Sequence, residues 1–238
     1  MSRIEDIKAI LEVAEELYAR IEQEYQRSLK VKSISPKLAV LIKNYLENLR
    51  SPLDYIAREI SENTLGKSMK PYFPVACRDQ PTFTKHMKKN LPDLQNQEPR
   101  LFRKIEQNQP FQPNGCKALA KLSELVNENK HDRLTEQTKT ERRGLDIKFP
   151  GGAGISMGPG CSISGGGSIS SGGGTFTPGG GSVSGDSPVR FGENIDQTVV
   201  NWVSFTFTRT GDDVLELLRD CRKDVDRIIS DLRPILWP

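Results

Sequence analysis

The chain has 238 residues, of which 35% are hydrophobic and 27% are charged, and its formal net charge is +3. This composition is polar for a globular protein but clear of a disordered one. No apolar run approaches the roughly 18 residues that a membrane span needs, and the N-terminus lacks the apolar segment of a secretory signal. None of the four cysteines forms a Cys-x-x-Cys pair, so we expect no disulfide framework and a cytoplasmic location. Because no apolar run is long enough for a span, we also expect no membrane partner.

The first two helices are predicted from apolar stripes. Apolar side chains recur every three or four residues over 4–25, which predicts one long amphipathic helix. A second helix begins with Ser35 as its N-cap and Pro36 in its first turn. Pro52 interrupts the apolar stripe of this second helix. We therefore expect a kink there, or a new helix that starts with Ser51 as its cap.

The middle of the chain breaks this periodicity. Residues 65–111 contain six prolines, so we expect irregular structure there, with a short helix only at 98–107. Helical periodicity returns at Lys117 and predicts a third helix. The last helix is expected to open at Gly211 and to end at Pro234.

Positive charge is concentrated in the middle of the chain. Residues 65–148 carry 17 basic and 10 acidic side chains. Such a region attracts phosphate-bearing partners by Coulomb steering and counterion release. The alternative is an ordinary solvated surface, because Lys85, Lys88 and Lys89 fall in the segment predicted to be irregular. His86 lies among these lysines without a partner at useful spacing, and we interpret it as a surface residue.

Residues 151–185 differ from the rest of the chain, because they contain 15 of the 20 glycines and no charged side chain. Triple glycines begin at Gly165, Gly172 and Gly179, separated by one apolar residue between two hydroxyl residues. This alternation predicts very short strands in a miniature solenoid or meander. A flexible linker and a phosphate nest of glycine amides are the alternatives. Uncharged strand edges invite pairing, so we expect self-association through this segment.

Alternating apolar residues flank the glycine-rich segment at 145–149 and 203–208 and predict two further strands. The chain is therefore expected to have three parts. Residues 1–144 form a helical bundle with a Pro-rich loop, residues 145–209 form a Gly-rich β insertion, and residues 210–238 form a last helix that completes the bundle. The predicted fold class is mainly α, a four-helix bundle with a small β insertion.

A polar cluster lies on the predicted third helix. Asn127 and His131 share one face of this helix, and Lys130 and Arg133 are close to them in sequence. The cluster could bind a phosphate or position an imidazole for acid–base chemistry. The alternative is a polar helix end at which the helix dipole favours basic residues. No His, Cys, Asp and Glu residues have the spacing of metal ligands, so we expect no metal and no cofactor.

A second polar pair lies on the second helix, where Arg50 and Asp54 are four residues apart. An ordinary intrahelical ion pair is the alternative to a functional role. If the second and third helices pack antiparallel, this pair would converge with the cluster on the third helix at one pocket mouth, and Asp54 would hold Arg50 or His131 in place. We therefore predict a ligand-binding site formed by Arg50, Asp54, Asn127, Lys130, His131 and Arg133.

Four short stretches carry a family resemblance: ENLRSPLDYIAREI on the second helix, Phe-Pro-Val at 73–75, Gln-Pro-Phe at 109–111 and LSELVNENKHDRL on the third helix. In this order they resemble a broad group of uncharacterised bacterial and phage proteins of the HEPN-like type, many with a glycine-rich β insertion before the last helix. The resemblance implies a HEPN-like bundle, a fold linked to RNA cleavage, RNA binding and bacterial or phage conflict. The recurring polar positions of that group correspond here to Arg50, Asp54, Asn127, Lys130 and His131.

The chain departs from this family in three places. Pro52 stands where the family has alanine, and Asp132 separates His131 from Arg133. Catalytic HEPN ribonucleases carry Arg, four to six residues and then His on one helix. In this chain the positions that should hold the arginine before His131 are occupied by Glu124, Leu125 and Val126.

Three functions follow from these observations. We predict a non-catalytic binding protein for RNA or for a phosphate-bearing small molecule such as a nucleotide. The first alternative is an unorthodox, metal-independent ribonuclease that uses His131 and Arg50. The second alternative is a structural protein that forms oligomers through residues 151–185. Because the ribonuclease motif is absent, we lean against enzymatic activity.

Overall fold

The protein divides into two compact units, which are described separately. The helical unit spans Met1–Thr138 and Thr206–Pro238, and the β unit spans Lys139–Phe205. The computed structural model describes residues 2–75, 79–131, 137–148, 154–157, 162–164, 169–171, 174–176, 182–184 and 196–238.

The described part of the chain is mainly helical, as the apolar periodicity predicts. The helices are α1 (Arg3–Val31), α2 (Pro36–Glu59) with a short π-helix at Ile60–Thr64, α3 (Gln80–Asn90), α4 (Leu94–Gln97), α5 (Pro99–Gln107), α6 (Ala118–His131) and α7 (Val214–Leu236). None of these helices is long and apolar enough to cross a membrane.

Helix α2 lies at the centre of the helical unit and packs against α1, α6 and α7. Its predicted apolar stripe forms the core, and a buried leucine or isoleucine of this kind contributes roughly 1.5–3 kcal/mol. Tyr45 is buried within the stripe, and its hydroxyl donates to the Leu218 carbonyl of α7 at 3.3 Å. The buried members of the stripe are Leu38, Ile42, Tyr45, Leu49, Leu53, Ile56 and Ile60.

Helix α2 runs through Pro52 without a restart, so the expectation of a new helix capped by Ser51 is wrong. The Ser51 hydroxyl instead donates to the Glu47 carbonyl one turn earlier, at 2.9 Å. Leu49 and Leu53 are both fully buried on either side of the proline. Their burial holds the chain helical across a residue that costs about 3 kcal/mol in a helix interior.

The expected ends of α7 also need correction. Asp213, rather than Gly211, is the N-cap, and its carboxylate accepts from the Glu216 N–H at 3.1 Å. Gly211 belongs to the preceding turn, where its φ of +73° is one that glycine adopts without strain. Pro234 does not end the helix, which continues to Leu236. A proline this close to the C-terminus removes only one hydrogen bond from the helix.

Helix α3 departs from the irregular structure that the six prolines of residues 65–111 predict. Pro81 instead lies in the first helical turn, where a proline removes no intrahelical hydrogen bond. Asp79 caps the helix by accepting from the Thr82 N–H at 2.9 Å. Phe83 and Met87, one turn apart, are buried. The lysines of this segment therefore lie on a regular helix and not in an irregular loop.

The strands are β1 (Gln137–Lys148), β2 (Gly154–Met157), β3 (Ser162–Ser164), β4 (Ile169–Ser171), β5 (Gly174–Phe176), β6 (Ser182–Ser184) and β7 (Asp196–Phe207). They form a three-stranded sheet in the order β2-β1-β7 and two antiparallel pairs, β3 with β6 and β4 with β5.

The strands of the glycine-rich segment pair in a nested order along the chain. β4 and β5 pair with each other, and the flanking β3 and β6 pair outside them along the chain. The central apolar residues of these strands face each other in register, with Ile169 opposite Phe176 and Ile163 opposite Val183. Very short strands are what the alternation predicts, and apolar cross-strand pairs of this kind stabilise a sheet.

Candidate functional site

Helices α2, α3 and α6 and the segment of residues 71–75 line a pocket of about 500 Å³ in the helical unit. We refer to it as the α2–α3–α6 pocket. Ligand pockets typically measure roughly 300–1,000 Å³, so this one can hold a small molecule. The polar side chains that line it are Arg50, Asp54, Tyr72, His86, Lys89, Asn90, Ser123 and Asn127.

The α2 side of the pocket is formed by the predicted ion pair. Arg50 Nη2 lies 3.1 Å from Asp54 Oδ1, so the intrahelical pair is present. Both side chains also bind the 71–75 segment. Asp54 Oδ1 accepts from the Phe73 N–H at 2.9 Å, and Arg50 Nη2 donates to the Phe73 carbonyl at 3.0 Å. The pair therefore positions the segment as well as lining the pocket.

The other side of the 71–75 segment is held by α3 and by the turn after α5. The Asn90 side-chain oxygen accepts from the Tyr72 N–H at 3.2 Å. Gln109, which is fully buried, donates from its amide to the Pro74 carbonyl at 3.1 Å. Side chains thus supply the hydrogen-bond partners that the buried backbone groups of this segment require.

Arg50 is the most deeply placed cation of the pocket, with its side chain 12% exposed. Burial lowers the pKa of Arg50 by desolvation, and the adjacent Asp54 carboxylate opposes this shift. An arginine nevertheless stays charged in proteins. Its Nη1 atom is buried and has no hydrogen-bond partner among the described residues. A buried unsatisfied donor of a charged group is costly, so an acceptor at this atom would be favourable.

His86 corrects one of our predictions, since it is not a surface residue without a partner. Its Nδ1 donates to the Val75 carbonyl at 2.7 Å, and its ring lines the pocket. A carbonyl oxygen can only accept, so the hydrogen bond places a proton on Nδ1. The other ring nitrogen, Nε2, can then accept a hydrogen bond or a proton.

The structure brings three of the predicted site residues to one pocket, namely Arg50, Asp54 and Asn127. Lys130 and His131 occupy the last turn of α6, but their side chains are outside what the structure describes. Arg133 lies outside the described residues. The convergence of Asp54 with His131 therefore stays a prediction.

Sequence reasoning missed His86, Lys89 and Asn90, which all come from α3. The signals for this helix are present in the sequence, because Asp79 and Pro81 form a start pattern and Phe83 and Met87 an apolar pair one turn apart. With α3 recognised, His86, Lys89 and Asn90 fall three and four residues apart on one face. The partners of His86 and Gln109 are backbone carbonyls, for which the sequence carries no signal.

The two cysteines of the described residues are poor candidates for a nucleophile. Cys116 and Cys221 are both free and buried. Burial raises the pKa of Cys116 to about 12 and raises the pKa of Cys221 further. A thiol is reactive as the thiolate, which these surroundings disfavour. Within the part of the chain that the structure describes, no group of three or more His, Cys, Asp or Glu residues is arranged to hold a metal ion.

Comparison with known protein families, curated proteins and solved structures finds no match for this chain. The chemistry of the α2–α3–α6 pocket therefore carries the functional argument. It combines a buried guanidinium, an exposed lysine, an imidazole with an available nitrogen and an amide. The guanidinium, the lysine and the amide can donate hydrogen bonds to an anion, and charge-assisted hydrogen bonds of this type are among the stronger ones in proteins.

Proposed function

We propose that the protein is a non-catalytic, HEPN-like binding protein whose α2–α3–α6 pocket holds the phosphate group of RNA or of a small molecule. The observation that carries the proposal is the buried Nη1 atom of Arg50, which has no partner within the described residues. Asp54 does not supply this partner, because its hydrogen bond from Arg50 is made by Nη2 and not by Nη1.

A phosphate suits this arrangement better than a neutral group. Its oxygens accept hydrogen bonds, and the guanidinium fork of arginine matches their geometry. Lys89 is exposed at the same pocket and adds a second positive charge. The Asn127 amide can donate to another oxygen. The role in bacterial or phage conflict rests on the family resemblance, and the absence of the Arg–His ribonuclease motif favours binding over cleavage.

Calorimetric titration of the full-length chain with inorganic phosphate and with ribose 5-phosphate tests this proposal. We expect millimolar or tighter binding that weakens as salt is added, since the contacts are ionic. Lys89→Ala should weaken binding about threefold to fivefold, as expected for one exposed ionic contact of up to about 1 kcal/mol. Lys88→Ala is the matched control, because Lys88 is exposed on the same helix but does not line the pocket.

Two results would contradict the proposal. One is the lack of binding of either phosphate compound at millimolar concentration and low salt. The other is an equal loss of affinity in Lys89→Ala and Lys88→Ala, which would indicate nonspecific attraction to a basic surface. Retention of the wild-type melting temperature in both variants shows that the fold is intact.

One observation favours the ribonuclease alternative. The imidazole of His86 lines the same pocket as Arg50. Metal-independent RNA cleavage needs a base and a cation, which these two side chains could supply. Incubation with end-labelled RNA in the presence of EDTA tests this alternative. Cleavage that is lost in His86→Ala, or in His131→Ala, would replace the binding function with catalysis.

Self-association through residues 151–185 is proposed for the β unit. Among the described residues, β3–β6 and β4–β5 are pairs of only two strands, so each pair has two outer edges with unpaired backbone groups. A second copy of the chain could pair with such an edge. Native mass measurement at micromolar concentration should then show a dimer or small ring, whereas a monomer would contradict this proposal.

A further inference from the structure

Tyr72 is the exposed member of an otherwise buried segment. Pro71, Phe73, Pro74 and Val75 are all buried, whereas Tyr72 is 64% exposed and lines the α2–α3–α6 pocket. An aromatic ring of this size is normally at least half-buried in a folded protein, since its burial is favourable. Its exposure at a pocket that also holds cations indicates a contact surface for a ligand.

The backbone around Tyr72 is held in place before any ligand binds. The Tyr72 N–H is bound by Asn90, and both backbone groups of Phe73 are bound by the Arg50–Asp54 pair. A proline precedes Tyr72 and restricts the chain on that side. A ring on such a fixed segment loses little backbone entropy when it contacts a flat partner, and this preorganisation favours binding.

The ring and the phosphate-binding groups belong to one pocket. The Tyr72 ring, the Arg50 guanidinium and Lys89 all line this pocket. A ligand that uses all of these groups has a planar ring at one end and a phosphate at the other. The bases of nucleic acids stack on aromatic side chains, and every base offers a flat face for stacking.

We propose that the pocket binds one nucleotide unit, with its phosphate at Arg50 and Lys89 and its base stacked on Tyr72. This inference rests on the proposed function, because it names the ligand of the same pocket. The volume of about 500 Å³ suits a single nucleotide rather than a longer strand. The unit could be a free nucleotide or the terminal nucleotide of RNA, which share this chemistry.

Titrations of the full-length chain with ribose 5-phosphate and with adenosine 5′-monophosphate separate the base contact from the phosphate contact. We expect the nucleotide to bind about tenfold or more tightly, a ratio that corresponds to about 1.4 kcal/mol. Tyr72→Leu should abolish this preference and leave the affinity for ribose 5-phosphate within about twofold of wild type. Tyr72→Phe, which keeps the ring, should retain the preference.

Tyr55→Leu is the matched control, since Tyr55 is also an exposed tyrosine but does not line the pocket. It should keep the wild-type preference. Equal affinities for the two ligands, or a preference that survives Tyr72→Leu, would overturn the base contact while the phosphate site stands. If neither ligand binds, the proposed function fails and the inference fails with it.

A short adenosine oligonucleotide with a 5′-phosphate distinguishes the two sources of the nucleotide unit. Affinity equal to that of the mononucleotide, with dependence on the terminal phosphate, supports a pocket for one unit. Much tighter binding that does not depend on the terminal phosphate would show an extended RNA site and contradict the single-unit inference.

Discussion

Two non-helical stretches of this protein satisfy their backbone hydrogen bonds in different ways. The 71–75 segment of the helical unit receives side chains from α2, from α3 and from the turn after α5. The strands over 162–184 in the β unit pair with one another through their backbones. Backbone pairing needs only short, repetitive sequence, whereas side-chain pairing needs a specific polar residue at each position. Several of the polar side chains that bind the 71–75 segment therefore also line the α2–α3–α6 pocket.

The largest expected loss of stability comes from Asp54→Ala, which removes one of the side chains that bind the 71–75 segment. The variant removes the acceptor of the Phe73 N–H and leaves the Arg50 guanidinium without its carboxylate. Loss of one partner of a buried pair costs about 3–5 kcal/mol, and the partial exposure of Asp54 favours the lower end. We expect a loss of about 3 kcal/mol in the free energy of unfolding, measured by urea denaturation.

Asp54→Asn is the control for this variant, because its side-chain oxygen can still accept from the Phe73 N–H while the charge is removed. It should lose less stability than Asp54→Ala. If Asp54→Ala unfolds within about 0.5 kcal/mol of wild type, the 71–75 segment does not depend on α2.

A smaller loss in the free energy of unfolding is expected from Gln109→Ala. The Pro74 carbonyl would lose the donor that binds it in a fully buried position. An unsatisfied buried group costs about 1–3 kcal/mol, so we expect a loss of about 2 kcal/mol of stability by the same measurement. Asn114 is exposed in the following turn, and Asn114→Ala should stay within about 0.5 kcal/mol of wild type. Equal effects of the two variants would contradict the role of Gln109.

The smallest effect on overall stability is expected in the β unit. Ile169→Ser removes the apolar partner of Phe176, and two-stranded pairs are marginal in isolation. We expect the unfolding of the helical unit to change by less than about 0.5 kcal/mol. Hydrogen exchange should show slowed amides over 169–171 and 174–176 in the wild-type chain and fast exchange in the variant. Fast exchange already in the wild-type chain would instead indicate a linker.

Much of the fold was predictable because it depends on local patterns. The apolar stripe of α2 identified a run of side chains that are all buried, and the glycine triplets predicted short strands with apolar residues between them. Pro52 and Pro81 were misjudged for one reason. A proline breaks a helix only when no compensating burial or favourable position is available, and both depend on the tertiary structure.

The site was predictable only in part. Arg50 and Asp54 were identified from their spacing, and Asn127 from its place on the third helix. His86 was missed because its partner is the Val75 carbonyl, a backbone group eleven residues away. Side-chain spacing indicates pairs within one helix, but it carries no signal for a side chain that binds the backbone of another segment.

The sequence by itself determined helices α1, α2, α5, α6 and α7, the buried apolar stripe of α2 and the place of the glycine-rich strands, because these properties follow from local periodicity and propensity. Only the tertiary structure decided that Arg50 is buried with an unpartnered Nη1 within the described residues, and that His86 and Tyr72 line the same pocket. Burial and partners depend on groups distant in sequence. The fold brings these groups together because the apolar faces of α2, α3 and α6 must be buried, and the polar pocket forms where those faces end.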